Sequence, residues 1–370
     1  MSVTPEEKLG QVKAQEMETF LRKHQGEKHI VCLQDFPDPD AISAAVLHRL
    51  IALRFDIESD IVYAGRISHQ QNIALVKLLN LDLIRYSETL DLSQYVGSIF
   101  IDNQGTTTSL TKPLEELGIP PLAVVDHHER QDRLKPEFCD IRKTGSTATI
   151  YVDYMRHGLF EFEKSEPDHV NCATALMVGI FSDTRSMIRG KEEDFLAAAF
   201  LCDYVDHARL EEILYQSRSK RVMDIIQKAL ENRIVKDNYS ISGIGYLRLE
   251  DRDAIPQAAD FLLTEENVHT AIVYGIVIEQ QREMLSGSFR TSKITLDPDE
   301  FLKETFGRDV NGNFYGGGRE EAGGFEIPIG FLSGGMRDEV YMKRKWEVYD
   351  QQVKQKIFRK ILGGIDQEGE

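Results

Sequence analysis

The chain has 370 residues, 41% of them hydrophobic and 28% charged, with a net charge of −17 and a pI near 5.1. That length makes roughly two to three domains with substantial cores. The acidic balance argues against a general duplex-binding protein, whose affinity comes from neutralising phosphates with basic residues, but leaves room for a small phosphorylated substrate held by a few local arginines.

Residues 4 to about 25 read as one amphipathic helix, with Leu9, Val12, Met17, Phe20 and Leu21 at its apolar positions. Strand-like runs recur near 29–34, 61–64, 83–86, 98–102 and 122–126, with helical stretches between them, for instance 41–53 and 71–79. This alternation predicts β-α units and a parallel sheet, an α/β fold. A more helical stretch follows from 146 to about 215. Residues 218–233 carry Val222, Ile225, Ile226, Ala229 and Leu230 at helical spacing, with Arg218, Lys220, Arg221, Lys228 and Arg233 elsewhere, which reads as a connecting helix with a solvated basic face.

Strands are then expected at 239–249, 271–278 and 283–290, followed by a Gly-rich segment at 315–324. The last forty residues end in a basic helix with Trp346, Tyr349, Val353, Ile357 and Ile361 along one stripe and Gly363-Gly364 as its stop. Docking of that helix on the body or on another subunit is expected. The organisation is therefore a first domain over 1–215, a connecting helix over 216–240, a smaller α/β domain over 241–330 and a helical extension over 331–370. Cys32, Cys139, Cys172 and Cys202 form no C-x-x-C pair and read as small buried apolar residues of a reducing compartment. The first residues have no basic segment followed by an apolar one, and no apolar run is long enough to span a bilayer. A soluble cytoplasmic protein is expected.

Four apolar runs end in metal-type ligands. Residues 29–33 lead into Gln34-Asp35-Phe36-Pro37-Asp38-Pro39-Asp40, residues 98–101 end at Asp102, residues 122–125 at Asp126-His127-His128, and residues 176–181 at Ser182-Asp183. Each reads as a buried parallel strand. In open α/β sheets ligands sit at the carboxyl ends of such strands, so at least three runs deliver their tips to one crevice and the fourth is placed to complete it. Converging carboxylates and imidazoles call for divalent cations, because bare like charges repel. Taken singly the signals are weak: Pro37 to Asp40 is a common turn sequence, and Asp183 serves equally as a helix N-cap. Adjacent histidines at a strand end are the stronger sign, and the conjunction is what matters.

At these residues the sequence resembles the DHH phosphoesterase family. The resemblance covers nearly all of residues 28–330. It rests on Pro37-Asp38-Pro39-Asp40-Ala41, Asp102, Asp126-His127-His128 and the segment 179–184, with 65–72 and 145–148 also similar to family segments. The second half resembles a DHHA-type substrate-binding domain, with Ser288-Phe289-Arg290 on a strand and then the run 316–324 containing Gly317, Gly318, Arg319 and Glu320. The resemblance implies a two-Mn²⁺ (or Mg²⁺) centre in a cleft between the domains. Asp38 would bind one ion, Asp40 and His127 the other, and Asp102 and Asp183 would contribute to both. His128 would face the scissile phosphate, and Asp126 would orient the histidines. Two departures stand out. Gln34 occupies the position of a family histidine and is a weaker ligand for the first ion. Arg319 also replaces a family histidine, as a permanent cation suited to phosphate.

Arg290 and Arg185 are further candidate substrate contacts, weighed against plain solvated charge, as is Arg189. Phe289, Phe314 and Tyr315 are the candidate base platforms. The expected activity is hydrolysis of short RNA or DNA oligonucleotides, or linear dinucleotides, to mononucleotides by a metal-activated water. The alternatives are a 3′-phosphoadenosine 5′-phosphate phosphatase, a cyclic-dinucleotide phosphodiesterase, or a nucleotide-binding regulatory protein with a weakened first metal site. Inorganic polyphosphate would call for more lysine and arginine near the metals. No membrane partner is expected, and a homodimer stays open.

Overall fold

The computed structural model describes residues 5–362 apart from Ser68, Gln280, Gln281, Glu320 and residues 335–337. Ser68, Glu320 and the stop at Gly363-Gly364 thus lie outside the described residues. The chain forms two compact units, the first ending at Gln216 and the second beginning at Ser217.

The first unit opens with α1 (Pro5–Lys23) and then builds a six-stranded parallel sheet from β1 (Lys28–Cys32), β2 (Glu58–Tyr63), β3 (Ile84–Arg85), β4 (Gly97–Ile101), β5 (Pro121–Asp126) and β6 (Phe138–Ile141). The strand order is β3-β2-β1-β4-β5-β6, so the sheet reverses direction of growth between β1 and β4. Helices α2 (Pro39–Leu53), α3 (Gln70–Leu78) and α4 (Thr111–Glu116) connect the strands, and α5 (Thr147–Arg156), α6 (Pro167–Asp183), α7 (Glu192–Leu201) and α8 (His207–Leu214) follow them. The central strands carry apolar runs because both faces are covered: all five residues of β4 are buried. Strand β6 was not anticipated. It is four residues long with alternating burial and carries Cys139 and Asp140, too short to announce a period.

The run 176–181 is not a strand. It forms the last turns of α6, where every residue from Cys172 to Ile180 is buried. Helix α6 is flanked by α2, α5, α7 and α8. Apolar residues therefore occupy its whole circumference, and the helical period vanishes from the sequence. Asp183 accordingly closes a helix and is not an N-cap, and Arg185 and Arg189 lie in the turn after that helix instead of at a helix start.

The second unit is a mixed sheet of β7 (Ile234–Lys236), β8 (Tyr239–Arg248), β9 (Thr270–Glu279), β10 (Arg282–Thr291), β11 (Gly316–Arg319) and β12 (Ala322–Pro328), in the order β11-β12-β10-β9-β8-β7. Its helices are α9 (Lys220–Asn232), α10 (Ala254–Leu262), α11 (Pro298–Phe306) and α12 (Glu339–Ile361). Alternation along β9 separates two cores. Ala271, Val273 and Val277 pack with Val222, Ile225, Ile226 and Ala229 of α9 and with α10. Ile272, Tyr274 and Ile276 pack with Phe301 and Leu302 of α11 and with Val353 and Ile357 of α12. Helix α9 is therefore part of this unit's core, with Arg218, Lys220, Arg221 and Lys228 exposed. The glycine run is an edge strand rather than a flexible turn, with Gly316 to Arg319 paired to β12. Phe289 is fully buried, so it is no base platform.

Helix α12 docks along its expected stripe. A Cβ on Gly243 of β8 would lie 2.2 Å from Asp350 Oδ1 and 2.8 Å from Trp346, so glycine permits the close approach. Tyr274 donates its hydroxyl to Asp350 (2.7 Å). Lys345 is buried and pairs with buried Glu283, also donating to the carbonyls of Leu332 and Gly334. Of the cysteines, Cys32 and Cys172 are buried, Cys139 is half-buried and Cys202 is exposed, because it falls on the outer side of the turn after α7. No helix among the described residues is long and apolar enough to cross a membrane.

Removing one partner of a buried ion pair strands the other charge, which costs about 3–5 kcal/mol. Lys345→Met should lower unfolding free energy by that amount in urea titration, and Lys345→Met with Glu283→Leu should recover most of the loss.

Candidate metal centre

A parallel sheet that reverses between β1 and β4 opens a crevice at the carboxyl ends of those strands. Gln34, Asp35, Phe36, Pro37 and Asp38 follow β1, Asp102 follows β4 directly, and Asp126 ends β5 with His127 and His128 next. Asp38 caps α2, its Oδ1 accepting from the Ala41 amide (2.9 Å), and Pro39 starts the helix. Asp40, fully buried, accepts from the amides of Thr147 and Ala148 (2.7 Å each) and so sits against the N-terminus of α5, where a carboxylate is favoured. Asp102 adopts φ +58°, a left-handed conformation that aspartate tolerates better than most residues, and accepts from the Thr147 hydroxyl (3.0 Å). Gly179 lets α6 approach α2 closely: a Cβ there would meet Ser43 Oγ at 2.4 Å. One turn later α6 presents Asp183.

These residues converge on His127. Its Nε2 lies 3.3 Å from Asp183 Oδ2, 3.5 Å from Asp102 Oδ1 and 3.9 Å from Asp40 Oδ2, yet among the described residues it is buried without an aligned hydrogen-bond partner. Its Nδ1 faces the Thr144 carbonyl (3.4 Å). Ligand atoms of Asp40, His127 and Asp183 all lie within 4.8 Å of one another, and so do those of Asp102, His127 and His128. Three oxygens around one imidazole nitrogen, none of them placed to accept its proton well, describe a cradle for a cation. Carboxylate oxygens with imidazole suit Mn²⁺, Mg²⁺ and Zn²⁺. The donor set therefore fits divalent ions.

The electrostatics agree. Burial, and then repulsion from Asp183, pushes the Asp38 carboxyl up to about 6. Burial and the neighbouring carboxylates hold Asp40 and Asp102 well above the usual carboxylate range. Burial alone would lower His127, but Asp183 and Asp40 outweigh it and raise the imidazole to about 9. Protons therefore occupy the cluster when cations do not.

Gln34 lies among the acids. Its Nε2 donates to Asp38 Oδ2 and to Asp102 Oδ2, 3.2 Å each, so a neutral amide bridges two carboxylates. Asp38 faces this amide and belongs to neither three-residue cluster. Asp126 accepts from His128 Nδ1 (2.8 Å) and from Gln104 Nε2 (2.7 Å). Burial would raise Asp126, but these donors keep it below its ordinary value and ionised. His128 is 46% exposed, with Nε2 on the far side of its ring from Asp126.

Sequence reasoning missed Thr147, Gln104 and Asp194. Asp194 is buried and ties the amide of Gly145 (3.1 Å) and the hydroxyl of Thr149 (2.6 Å), fixing the loop that presents Thr147. The segment 145–148 had drawn attention by likeness, but nothing local said that its amides would meet Asp40. The candidate substrate residues are scattered. Arg185 is exposed after α6 in a left-handed conformation. Arg290 is engaged by Asp260 (2.7 Å) and Ser288 (2.9 Å). Gly317 lines a cavity of about 780 Å³ in the second unit, together with Phe314, Tyr315, Arg252 and Ser288. The Gly318 amide donates to Asp299 (3.2 Å), and Arg319 is exposed on the edge strand.

No family model matches the chain. An uncharacterized protein of Methanocaldococcus jannaschii is 35% identical over 335 residues, which is 90% of this chain and 63% of that protein. The chain thus spans less than two thirds of that relative's length. A solved exopolyphosphatase-related protein from Bacteroides fragilis superposes with a TM-score of 0.66 at 16% identity, over 93% of this chain and 98% of that one. RecJ in complex with Mn²⁺ from Thermus thermophilus is 13% identical over 98% of this chain and 60% of that one, with a TM-score of 0.46, too loose a likeness to add to the fold. A parallel α/β unit followed by a smaller mixed-sheet unit, with this superposition, defines the class: the chain shares the two-unit α/β fold of that exopolyphosphatase-related protein.

A raised imidazole stabilises the fold fully while it is protonated in both the folded and unfolded states, and that contribution fades as pH climbs through the folded value. In chelator, His127 should contribute fully below pH 6.5 and lose about 3 kcal/mol as pH rises through about 9. Urea titrations of the metal-free protein should therefore show stability falling over that window, with a flatter profile for His127→Gln.

Proposed function

We propose that the chain is a metal-dependent phosphoesterase acting on nucleic-acid-related substrates, and more finely that it hydrolyses short oligonucleotides or linear dinucleotides to mononucleotides. One arrangement carries the reading: the carboxylates of Asp40, Asp102 and Asp183 around a buried imidazole nitrogen at the switch point of the sheet, with Asp38 close by, beside a half-exposed second histidine. Bound Mn²⁺ or Mg²⁺ would supply an activated water and positive charge for the phosphate oxygens. Asp40, His127 and Asp183 would hold one ion. Asp102 would be shared, and Asp38 with Gln34 would serve the other.

The chain's own chemistry falls to His128 and Asp126. Asp126 holds the Nδ1–H of His128, so Nε2 is left as the nitrogen that would accept a proton from the attacking water and then pass it to the leaving oxygen. Gln104 holds Asp126 from the other side and keeps that orientation. Water is the attacking group in this reading. The net charge of −17 disfavours long polyanions and supports small substrates.

A regulatory nucleotide-binding protein is the second reading, motivated by the Gln34 amide between Asp38 and Asp102. A 5′-phosphorylated RNA dinucleotide incubated with Mn²⁺ separates the two. Mononucleotide release is expected from the native chain and should vanish in Asp102→Ala and His127→Ala, with His128→Ala lowering kcat by about 10²–10⁴-fold. Binding of the dinucleotide without release would favour the regulatory reading.

A further inference from the structure

At the amino end of β1, away from the carboxylate crevice, His24, Glu27 and His29 make a second convergence. Gly26, at φ +82°, turns the chain between α1 and β1, and its amide donates to the Asp56 carbonyl (3.0 Å). The turn brings His24 Nδ1 and His29 Nε2 to the same oxygen, Glu27 Oε2, at 2.8 and 2.9 Å. All three ligand atoms lie within 4.8 Å of one another. His24 is 6% and His29 0% exposed, while the Glu27 side chain is 29% exposed, so the cluster is a buried pocket with one side reachable from solvent.

Hydrogen bonding leaves part of this cluster unsatisfied. Both buried imidazoles face one oxygen of Glu27, and among the described residues the buried Nδ1 of His29 has no partner. A cation in their midst would take a lone pair from each histidine and one from the carboxylate. The far side of His24 matches what a metal-bound imidazole requires: its Nε2 lies 3.4 Å from Glu137 Oε2, and Glu137 is itself paired with Lys23. A ligating histidine whose other N–H is held by a carboxylate is the usual support of such sites. Two imidazoles and one carboxylate with a fourth, solvent-facing position form a zinc-type donor set.

We propose that His24, Glu27 and His29 bind a single Zn²⁺-type cation independently of the carboxylate crevice. β1 itself separates the two places by roughly 15 Å, so the ion takes no part in chemistry at His127. It fastens the end of α1 to the start of β1 and, through Glu137, to the residue preceding β6.

The test uses the full chain. Asp102→Ala with His127→Ala disables the crevice. Zinc content after gel filtration, calorimetric titration with Zn²⁺ and melting temperature are then read with and without a further Glu27→Gln. The disabled chain should retain one Zn²⁺ and melt higher with zinc than in chelator. Glu27→Gln should weaken that binding at least tenfold and remove the melting shift while circular dichroism stays unchanged. In the otherwise native chain, Glu27→Gln alone should lower zinc content by one equivalent, which keeps the test open should the double variant fold poorly. A folded chain with a disabled crevice and no zinc, or zinc binding unaffected by Glu27→Gln, overturns the proposal.

Discussion

Asp40, Asp102 and Asp183 are drawn together against one imidazole in the interior of the first unit, with Asp38 beside them, and the rest of that unit is arranged to make their closeness tolerable. Helix N-termini and hydroxyls orient these acids. The α5 amides hold Asp40, the Ala41 amide holds Asp38, and the Thr147 hydroxyl holds Asp102. Oriented dipoles fix positions but do not cancel the summed charge. Protons or cations do that, which is why the acids sit high and His127 is held protonated when no cation competes. A bound cation would relieve the repulsion among these carboxylates, so the same constraint that burdens stability would favour cation binding.

Topology supplies the geometry. The reversal between β1 and β4 sets two carboxyl ends side by side with a crevice between them, and β5 adds the histidines. Close helix packing then brings in the remaining ligand. Gly179 allows α6 to press on α2, and Gly145 leaves room for Asp194, whose bonds steady the loop before α5. Gln34 marks this chain within the arrangement. Where the resemblance implies an imidazole, an amide joins two carboxylates without adding charge, so neutralisation at that end of the cluster would rest more heavily on protons or a bound cation.

The second unit stands on its own cores. Alternation along β9 serves α9 and α10 on one face and α11 and α12 on the other. The last helix contributes a buried ion pair and an aspartate wedged over a glycine, so it is structural rather than an appendage.

The parallel sheet was legible because its strands are buried on both faces, and an uninterrupted apolar run ending in Asp or Asp-His-His survives in the sequence as a local pattern. The first helix, the β-α alternation and the stripe from Trp346 to Ile361 were legible for the same reason: each is a period within one element. Asp102, Asp126, His127 and His128 were legible as strand-end residues, whereas Asp183 was read as one and closes a helix. What the sequence could not carry is anything set by a surface with no period. Helix α6 reads as a strand because four helices cover it and remove its polar face. Strand β6 is too short to show alternation, and the glycines of β11 have no side chains to alternate. The partners of the acids were hidden too. Thr147 and Ala148 meet Asp40 across more than a hundred residues, through backbone amides that every residue possesses, and Arg290 is occupied by Asp260 thirty residues earlier. Residue chemistry and local period were therefore determined by the sequence alone. Which amide faces which carboxylate, and which arginine is already engaged, was decided only by tertiary packing, because those contacts depend on distances that no local pattern encodes.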